Sequence, residues 1–326
     1  MLARIAHELF WLGRQLGRAE HTARMLDGIY AIDLQAPPDA PVGAQLTWEG
    51  LLAVMGATEE SERTEAPDRD EVIRLLAVDP ANPSSVLACV EAGREGARVV
   101  RDVISAEMWE AVNTLRLGLY QHHLGGDFGT GPYAFLQYVK ERCALFWGLA
   151  ERTMLEDEAR ALLHAGGRIE AAQMVVRMLR VALAPFGDED VADEVERPAR
   201  DGQALALLHA AGGLHAFRRA VTGPPNAEPV AGFLLYERAY PDSVAASVDA
   251  LHAALFAADP SARTAAPVLR LARLSADLEF RRRAASSAGD LLGVLGDVQE
   301  ELALVDHDIS DRYFAGGTQA SRVMTG

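Results

Sequence analysis

Residues 2–32 read LARIAHELFWLGRQLGRAEHTARMLDGIYAI, and this stretch decides the fold. Apolar side chains recur along it at steps of three and four residues, the period of one face of an α-helix. They are Ile5, Leu9, Leu12, Leu16, Ala19, Ala23, Leu26 and Tyr30. The spacing predicts one long helix. Prolines at positions 37, 38 and 41 then predict a linker, because proline removes a backbone donor and clashes with the preceding turn.

The same helical period continues along the rest of the chain. Further helices are predicted at 46–55, 71–77, 86–104, 105–123, 132–154, 156–183, 243–257, 265–284 and 291–314, with one or two short helices at 202–221. Connections are predicted at 58–69, 125–131 and 185–201, and a strand-like piece at 233–236 alone. The sequence therefore predicts an all-α, irregular bundle of roughly ten helices. We expect one domain at 1–314 and a flexible tail at 315–326.

A faint internal repeat connects two of the long helices. Residues 13–26 align with residues 166–179 at a constant offset of 153 positions. Both segments begin with glycine and end with Arg-Met-Leu, at 24–26 and at 177–179. The repeat predicts two pseudo-equivalent helices that pack on each other, and hence a bundle of two related halves.

The composition of the chain argues against several classes of binding partner. The 326 residues carry a formal net charge of -16, which argues against sequence-independent binding to nucleic acid and against docking on an anionic membrane. No apolar run approaches the ~20 residues of a membrane helix, and the opening residues lack the layout of a signal peptide. We therefore expect a cytoplasmic protein. Two cysteines, Cys89 and Cys143, are too few for a disulfide framework or a zinc site, and we expect buried thiols.

The near absence of lysine limits the chemistry. Of the 31 basic residues, Lys140 is the one lysine. A Walker-type phosphate loop requires Gly-Lys-Ser or Gly-Lys-Thr, and the sequence contains neither. Kinase-like and ATP-grasp sites also use lysines carried on strands. We therefore expect no self-contained ATP-dependent catalysis and no bound cofactor.

Several blocks together resemble the bacterial alpha-E family, a helical domain named for a Glu-Arg motif. The most specific block is Arg101-Asp-Val-Ile-Ser-Ala-Glu-Met-Trp-Glu-Ala-Val-Asn113. The other matching blocks follow in order at 10–14, 18–20, 22–24, 82–86, 92–95, 153–154, 166–179, 233–244, 309 and 312–314. The resemblance covers nearly the whole chain. It implies a helical fold. It also implies that the chain is encoded beside, or fused to, a circularly permuted ATP-grasp ligase, often together with a transglutaminase-like peptidase. These partners imply a pathway that forms or trims amide bonds on peptides.

The chain departs from the family at the motif itself. Where the family carries Glu-Arg in the first helix, this chain has Gly17-Arg18. In the repeat helix it has Glu170-Ala171 in place of the second Glu-Arg, and Gly167 stands at the position that matches Arg14. One half of each motif survives. We therefore predict that Arg18 pairs across the bundle with Glu170.

Two groups of residues are candidates for a site. Arg14, Arg18 and His21 share one helix face and could bind a carboxylate or phosphate, the alternative being a solvated face or ion pairs between helices. Glu107 and Glu110 could act as acid and base, with Trp109 and Asn113 beside them for binding. The alternative there is a capping Glu107 and a core Trp109. Glu-x-x-His pairs for a di-iron site are absent, and adjacent His122 and His123 point apart, so no metal is expected.

Three functions remain open from the sequence. The first is an accessory, scaffold or peptide-binding subunit of a peptide-modifying ATP-grasp ligase. The second is a stand-alone amide transferase or hydrolase with Glu107, Glu110 and Arg18 in a cleft. The third is a structural helical dimer. A deep polar cleft lined by Arg18 and Glu107 would favour the enzyme, and an exposed apolar patch would favour the scaffold.

Overall fold

The structure is a computed structural model that describes residues 1–34, 48–56, 68–123, 131–183, 197–259, 261, 263–284 and 288–315. Within these ranges all regular secondary structure is helical, in thirteen α-helices. They are α1 (Ala3–Asp33), α2 (Trp48–Met55), α3 (Arg69–Ala77), α4 (Val86–Val99), α5 (Ala106–His123), α6 (Tyr133–Thr153), α7 (Glu158–Leu183), α8 (Arg197–Ala210), α9 (Leu214–Ala220), α10 (Ala227–Tyr236), α11 (Val244–Ala258), α12 (Ala266–Ala284) and α13 (Ala288–Tyr313). The predicted all-α class is confirmed. The predicted linkers at 37–41, 58–69, 125–131 and 185–196, and the tail after residue 315, lie wholly or mainly outside the described ranges.

Two local predictions were wrong. The apolar run at 233–236 is the last turn of α10 and not a strand, because a short apolar run has the same appearance in a buried strand and a buried helix. The connection predicted at 185–201 ends earlier, since α8 already begins at Arg197. Pro198 is compatible with that start, because the first turn of a helix does not need the missing backbone N–H.

The helices form two halves with the same packing order. In the first half α1 packs against α4 and α6, α4 against α5, and α5 against α6. In the second half α7 packs against α11 and α13, α11 against α12, and α12 against α13. The N-terminal caps of the corresponding helices α4 and α11 are also alike. The side-chain oxygen of Ser85 accepts a hydrogen bond from a backbone N–H in the first turn of α4, and that of Ser243 does so in the first turn of α11, each at 3.1 Å. The repeat in the sequence thus corresponds to a repeat in the fold.

The two halves meet along α1 and α7, which run side by side in the same direction. Met1 contacts Glu158 at one end, and Arg18 contacts Glu170 further along both helices. A short helix next to each half also packs on the long helix of the other half: α2 packs on α7, and α8 packs on α1. Because α1 is surrounded by α4, α6, α7 and α8, apolar side chains are buried on most of its faces.

Paired glycines allow the close approach of α1 and α7. A Cβ atom on Gly13 would lie 2.0 Å from the carbonyl oxygen of Leu163, and a Cβ on Gly166 would lie 1.9 Å from that of Phe10. The offset of 153 relates Gly13 to Gly166 and Phe10 to Leu163, so the two contacts are reciprocal. The interface therefore has an approximate two-fold axis that runs along the two helices. No α-helix within the described ranges combines the length and the apolar character needed to cross a membrane.

Candidate functional site

Glu170 lies at the centre of a buried ion-pair cluster between α1 and α7. Its side chain is 0% exposed. Arg18 donates from Nε to Oε1 at 2.7 Å and from Nη2 to Oε2 at 3.0 Å, while Arg14 donates from Nε to Oε2 at 3.0 Å. The predicted pairing of Arg18 with Glu170 is therefore confirmed. The two surviving motif halves form one contact.

The other two nitrogens of the Arg14 guanidinium also donate hydrogen bonds to groups of the protein. Its Nη1 donates to Oδ2 of Asp306 on α13, and its Nη2 donates to Oε1 of Gln173, both at 2.7 Å. Its guanidinium carbon lies 4.9 Å from the ring centroid of Trp11, a cation–π distance. We call Glu170, Arg14, Arg18, Gln173 and Asp306 the Glu170 cluster. Its contacts correspond to the ion-pair alternative for these arginines, since their donors face the protein.

The electrostatics keep the Glu170 cluster charged. Burial alone would raise the pKa of Glu170, but the hydrogen bond from Arg18 and the charges of Arg18, Arg14 and Arg177 lower it to about 2. Burial opposes the charge of Arg18 as well, yet its bond and charge interaction with Glu170 leave the pKa of Arg18 raised. Arg177 is 3.6 Å from Glu170, and burial lowers its pKa. The carboxylate is therefore ionised at neutral pH and ties α1 to α7.

The opposite side of the two-fold axis has no such cluster. At the offset of 153, Gly17 takes the place of Glu170, Gly167 that of Arg14, and Ala171 that of Arg18. A Cβ on Gly17 would lie 3.7 Å from Cα of Gly167, so these positions face each other as Glu170 and Arg14 do. A cavity of about 410 Å³ opens there between α1, α6 and α7. The side chains that fill one half are thus missing from the other.

Polar and aromatic side chains line the rest of the cavity. Three are carboxylates and one is a guanidinium; they are Glu20, Glu151, Asp242 and Arg168. Arg168 lies 3.6 Å from Oδ1 of Asp242 and donates to the carbonyl oxygen of Pro241 at 3.1 Å. The ring of Trp147 packs against that of His164, with centroids 5.6 Å apart. Arg24 pairs with Glu20 at 2.6 Å and Arg160 pairs with Glu151, so the wall combines ion-paired carboxylates with an aromatic surface.

Two histidines line the cavity. His21, predicted as a binding residue, lines the cavity and is 7% exposed. Its Nδ1 is buried and has no hydrogen-bond partner among the described residues. His164 lies 3.2 Å from Glu151, but burial, together with the charges of Arg160 and Arg168, lowers the pKa of His164. His164 is therefore neutral near pH 7, and its Nε2, like Nδ1 of His21, is buried without a hydrogen-bond partner among the described residues.

The second predicted group lies elsewhere. Glu107 and Glu110 are exposed on α5, a helix that does not line this cavity. Trp109 is half-buried, and the guanidinium carbons of Arg94 and Arg101 each lie 5.3 Å from its ring centroid. Arg94 also donates to Oδ1 of Asn113 at 3.0 Å. The structure therefore does not bring Glu107 and Glu110 into a cleft with Arg18.

The remaining predictions about chemistry concern metals and thiols. Within the described side chains, no group of three or more His, Cys, Asp or Glu residues is arranged to hold a metal ion. The side chains of His122 and His123 lie outside the described residues. Cys89 and Cys143 are both buried free thiols, as predicted. Burial raises the pKa of Cys89 to about 12 and that of Cys143 as well.

Sequence reasoning missed most of the cavity wall. Trp147, Glu151 and His164 lie outside the blocks that resemble the family, while Arg168 and Asp242 lie in two different blocks. The five residues come from two helices and the turn before a third. One signal was present in the sequence, because the alignment of the two repeats places glycine at 167 where the first repeat has arginine. A missing large side chain at an interface between repeats predicts open space.

Comparison with known proteins gives one family and three relatives. A family model described as a predicted alpha-helical domain with a conserved ER motif matches residues 1–314. An uncharacterised protein of Mycobacterium bovis and two of Mycobacterium tuberculosis strains are each 24% identical over an alignment of 268 residues, and the match covers 77% of this chain and 29% of each relative. The chain thus spans less than a third of the length of these relatives. No solved structure matches it significantly.

Proposed function

Because the chain belongs to the Alpha-E family, whose model matches residues 1–314, we propose that it is a peptide-binding accessory subunit. In this proposal it acts in the cytoplasm with a circularly permuted ATP-grasp ligase that forms amide bonds on peptides. The ligase supplies ATP chemistry, and this chain supplies a binding surface. The near absence of lysine and the lack of a Walker loop agree with that division.

The cavity between α1, α6 and α7 is the observation that carries the proposal. Its volume of about 410 Å³ lies in the range of small-molecule sites, and it accommodates one side chain or one end of a peptide. It joins a small-residue floor at Gly17, Gly167 and Ala171 to a polar and aromatic rim. Such a combination is suited to holding a group in one orientation.

The length of the mycobacterial relatives also supports a subunit role. Each match covers 29% of the relative, so most of each relative's polypeptide consists of other sequence. A domain that occurs within a much longer chain commonly works beside other domains. We therefore expect this chain to present a surface to a partner.

The two alternatives have weaker support from the geometry. The stand-alone enzyme would use Glu107 and Glu110, but both are exposed on α5 and are not among the residues around the cavity. The structural dimer would need a continuous apolar surface. Among the described residues, the exposed large apolar side chains belong to α5, α6, α12, α13 and several connections, so they are spread over both halves.

Co-elution with the ligase tests the proposal. The full chain is run on a sizing column with light scattering, alone and mixed with the family's ATP-grasp ligase, with and without ATP and a peptide. A complex of defined mass in any mixture is the expected result. Separate peaks under all conditions would contradict it. Formation or release of an amide by the chain alone, lost in Glu107→Gln, would support the enzyme, and a stable dimer that ignores the ligase would support the structural role.

A further inference from the structure

The open side of the two-fold axis lacks the charged groups of the Glu170 cluster. Three small residues stand there in place of a glutamate and two arginines: Gly17, Gly167 and Ala171. The helix α6, which packs on α1 as α13 packs on α7, adds Ala144 and Gly148 to the lining of the cavity. The floor of the cavity is therefore built from five glycines and alanines on three helices. These residues offer an incoming group neither a charge nor a hydrogen-bonding side chain.

The carboxylates around the rim of the cavity are already paired. Each of the three has an arginine partner: Glu20 pairs with Arg24 at 2.6 Å, Glu151 with Arg160, and Asp242 with Arg168 at 3.6 Å. A charged ligand would lose part of its hydration in the partly enclosed space and would have to compete with one of these ion pairs. An uncharged ligand meets neither cost. The pairing therefore favours an uncharged group in the cavity.

Two uncharged rings form part of the cavity wall. The nearest atom of the Trp147 ring lies 2.7 Å from the position that a Cβ of Gly167 would take, so the indole occupies space that a side chain at 167 would fill. The ring of Trp147 packs against that of His164, with centroids 5.6 Å apart. Burial lowers the pKa of His164, so this imidazole is neutral near pH 7. Because aromatic rings attract a further ring in edge-to-face or offset geometry, the wall is suited to an aromatic group.

The cavity also has room for such a group and a side on which it is open. Its volume is about 410 Å³, in the range of small-molecule sites. A Cβ on Gly148 would meet no atom within 4 Å, so open space lies directly over this turn of α6. Gly148 and Ala144, one turn earlier on α6, are both exposed. A side chain of another molecule can therefore reach the floor of the cavity past α6.

We infer that the cavity between α1, α6 and α7 binds an uncharged aromatic side chain of a peptide, of the phenylalanine type. The ring lies over the floor at Gly17 and Ala171 and contacts the ring of Trp147. The inference rests on the peptide binding proposed above and adds the class of side chain that the cavity selects. Basic and acidic side chains are disfavoured, because each carboxylate described at the rim already has its arginine partner.

Calorimetric titration of the full chain, without the ligase, tests the inference. The probes are acetyl-Ala-Phe-Ala-amide and the same peptide with leucine, alanine, arginine or glutamate at the central position. One phenylalanine peptide should bind per chain, about tenfold or more tightly than the alanine, arginine and glutamate peptides, because it buries an apolar ring without burying a charge. Contact between rings should make it bind about threefold more tightly than the leucine peptide. Absence of binding, equal affinity for leucine, or preference for a charged peptide would overturn the inference.

Matched glycine variants locate the binding to this cavity. Gly148→Leu places a branched side chain in open space, so it should leave the fold intact and weaken binding of the phenylalanine peptide about tenfold or more. Gly293→Leu on α13 is the control, because a Cβ there also meets nothing within 4 Å and residue 293 does not line the cavity. The control should leave the affinity unchanged. If a thermal melt shows that Gly148→Leu does not fold, Ala144→Leu takes its place. Unchanged affinity in the folded variant of α6 would overturn the assignment.

The two experiments separate this inference from the proposed function. If the chain joins the ligase on the sizing column but prefers a charged peptide in the titration, the subunit role stands and the aromatic site is wrong. If the phenylalanine peptide binds and Gly148→Leu weakens it, but the chain never joins the ligase, the aromatic site stands and that partner is wrong.

Discussion

Arg18 and Glu170 lie 152 residues apart in the chain and make two hydrogen bonds, at 2.7 and 3.0 Å, across the interface of α1 and α7. Each belongs to an incomplete Glu-Arg motif, and together they supply the arginine and the glutamate of one complete pair. This contact joins the two halves of the molecule at their centre. Its effects on stability can be measured without knowing the function.

Replacing the central carboxylate should destabilise the fold strongly. Glu170→Gln leaves Arg18 largely buried without a counter-charge and Arg14 with Asp306 as its remaining carboxylate partner, and breaking a buried pair in this way typically costs about 3–5 kcal/mol. Urea unfolding followed by circular dichroism measures the change. Glu107→Gln is the control of the same chemistry at an exposed position and should change the free energy of unfolding by about 0.5 kcal/mol or less. Equal effects of the two substitutions would contradict a central role for the cluster.

The contribution of Glu170 should depend on pH in the acid range. Its pKa is about 2 in the folded protein against an ordinary value of 4.5, because the bonds and charges of the arginines outweigh burial. A lowered folded pKa stabilises the protein fully above about pH 4.5, and this stabilisation is lost as the pH falls towards 2. The difference in unfolding free energy between the wild type and Glu170→Gln should be constant from pH 7 to 5 and shrink below 4.5. A difference that stays constant down to pH 2.5 would exclude the lowered pKa.

The interface glycines should not tolerate alanine. Gly166→Ala places a methyl group 1.9 Å from the carbonyl oxygen of Phe10, so α1 and α7 must separate, at a cost of about 1–3 kcal/mol or more. Gly293→Ala in α13 has nothing within 4 Å and should stabilise by up to about 1 kcal/mol through helix propensity. Thermal melts of both variants measure these opposite signs. Similar shifts in the two would show that the close approach does not matter.

The two thiols should resist modification in the folded protein. Cys89 and Cys143 are buried, and burial raises the pKa of both, so the reactive thiolate is scarce at pH 8. Incubation with an aromatic disulfide reagent should release almost no chromophore until urea unfolds the chain. Two thiols should then react together. Rapid reaction of one thiol without denaturant would mean that its helix opens locally.

The sequence predicted those parts of the fold that depend on local periodicity. The long helices follow from their apolar spacing, and the pairing of Arg18 with Glu170 follows from two motifs that each lack one member. The identity of 233–236 as helix could not be predicted, because four apolar residues fit a buried strand equally well. The packing of neighbouring helices around residues 233–236 determines their conformation, and the local sequence carries no information about that packing.

The candidate site was predicted only in part for the same reason. His21 was identified because it shares a face with Arg14 and Arg18, and it does line the cavity. Glu151 was missed because it lies outside the matching blocks, and Asp242 was missed because its block, 233–244, gave no sign that this residue belongs to a site. They acquire significance from the packing of α6 and of the turn before α11 on α7. Glu107 and Glu110 are exposed on α5 and do not line this cavity, and their catalytic role stays a prediction.

The reciprocal contact of Gly13 and Gly166 is the geometry of a symmetric homodimer contained in one polypeptide. In a true homodimer, a mutation alters both symmetry-related sites at once. In a single chain, each repeat changes separately, so residues 17, 167 and 171 can become small while 14, 18 and 170 stay charged. The two sides of the axis can therefore have different roles. The side with the charged residues stabilises the interface between the halves, and the side with the small residues can acquire a separate function.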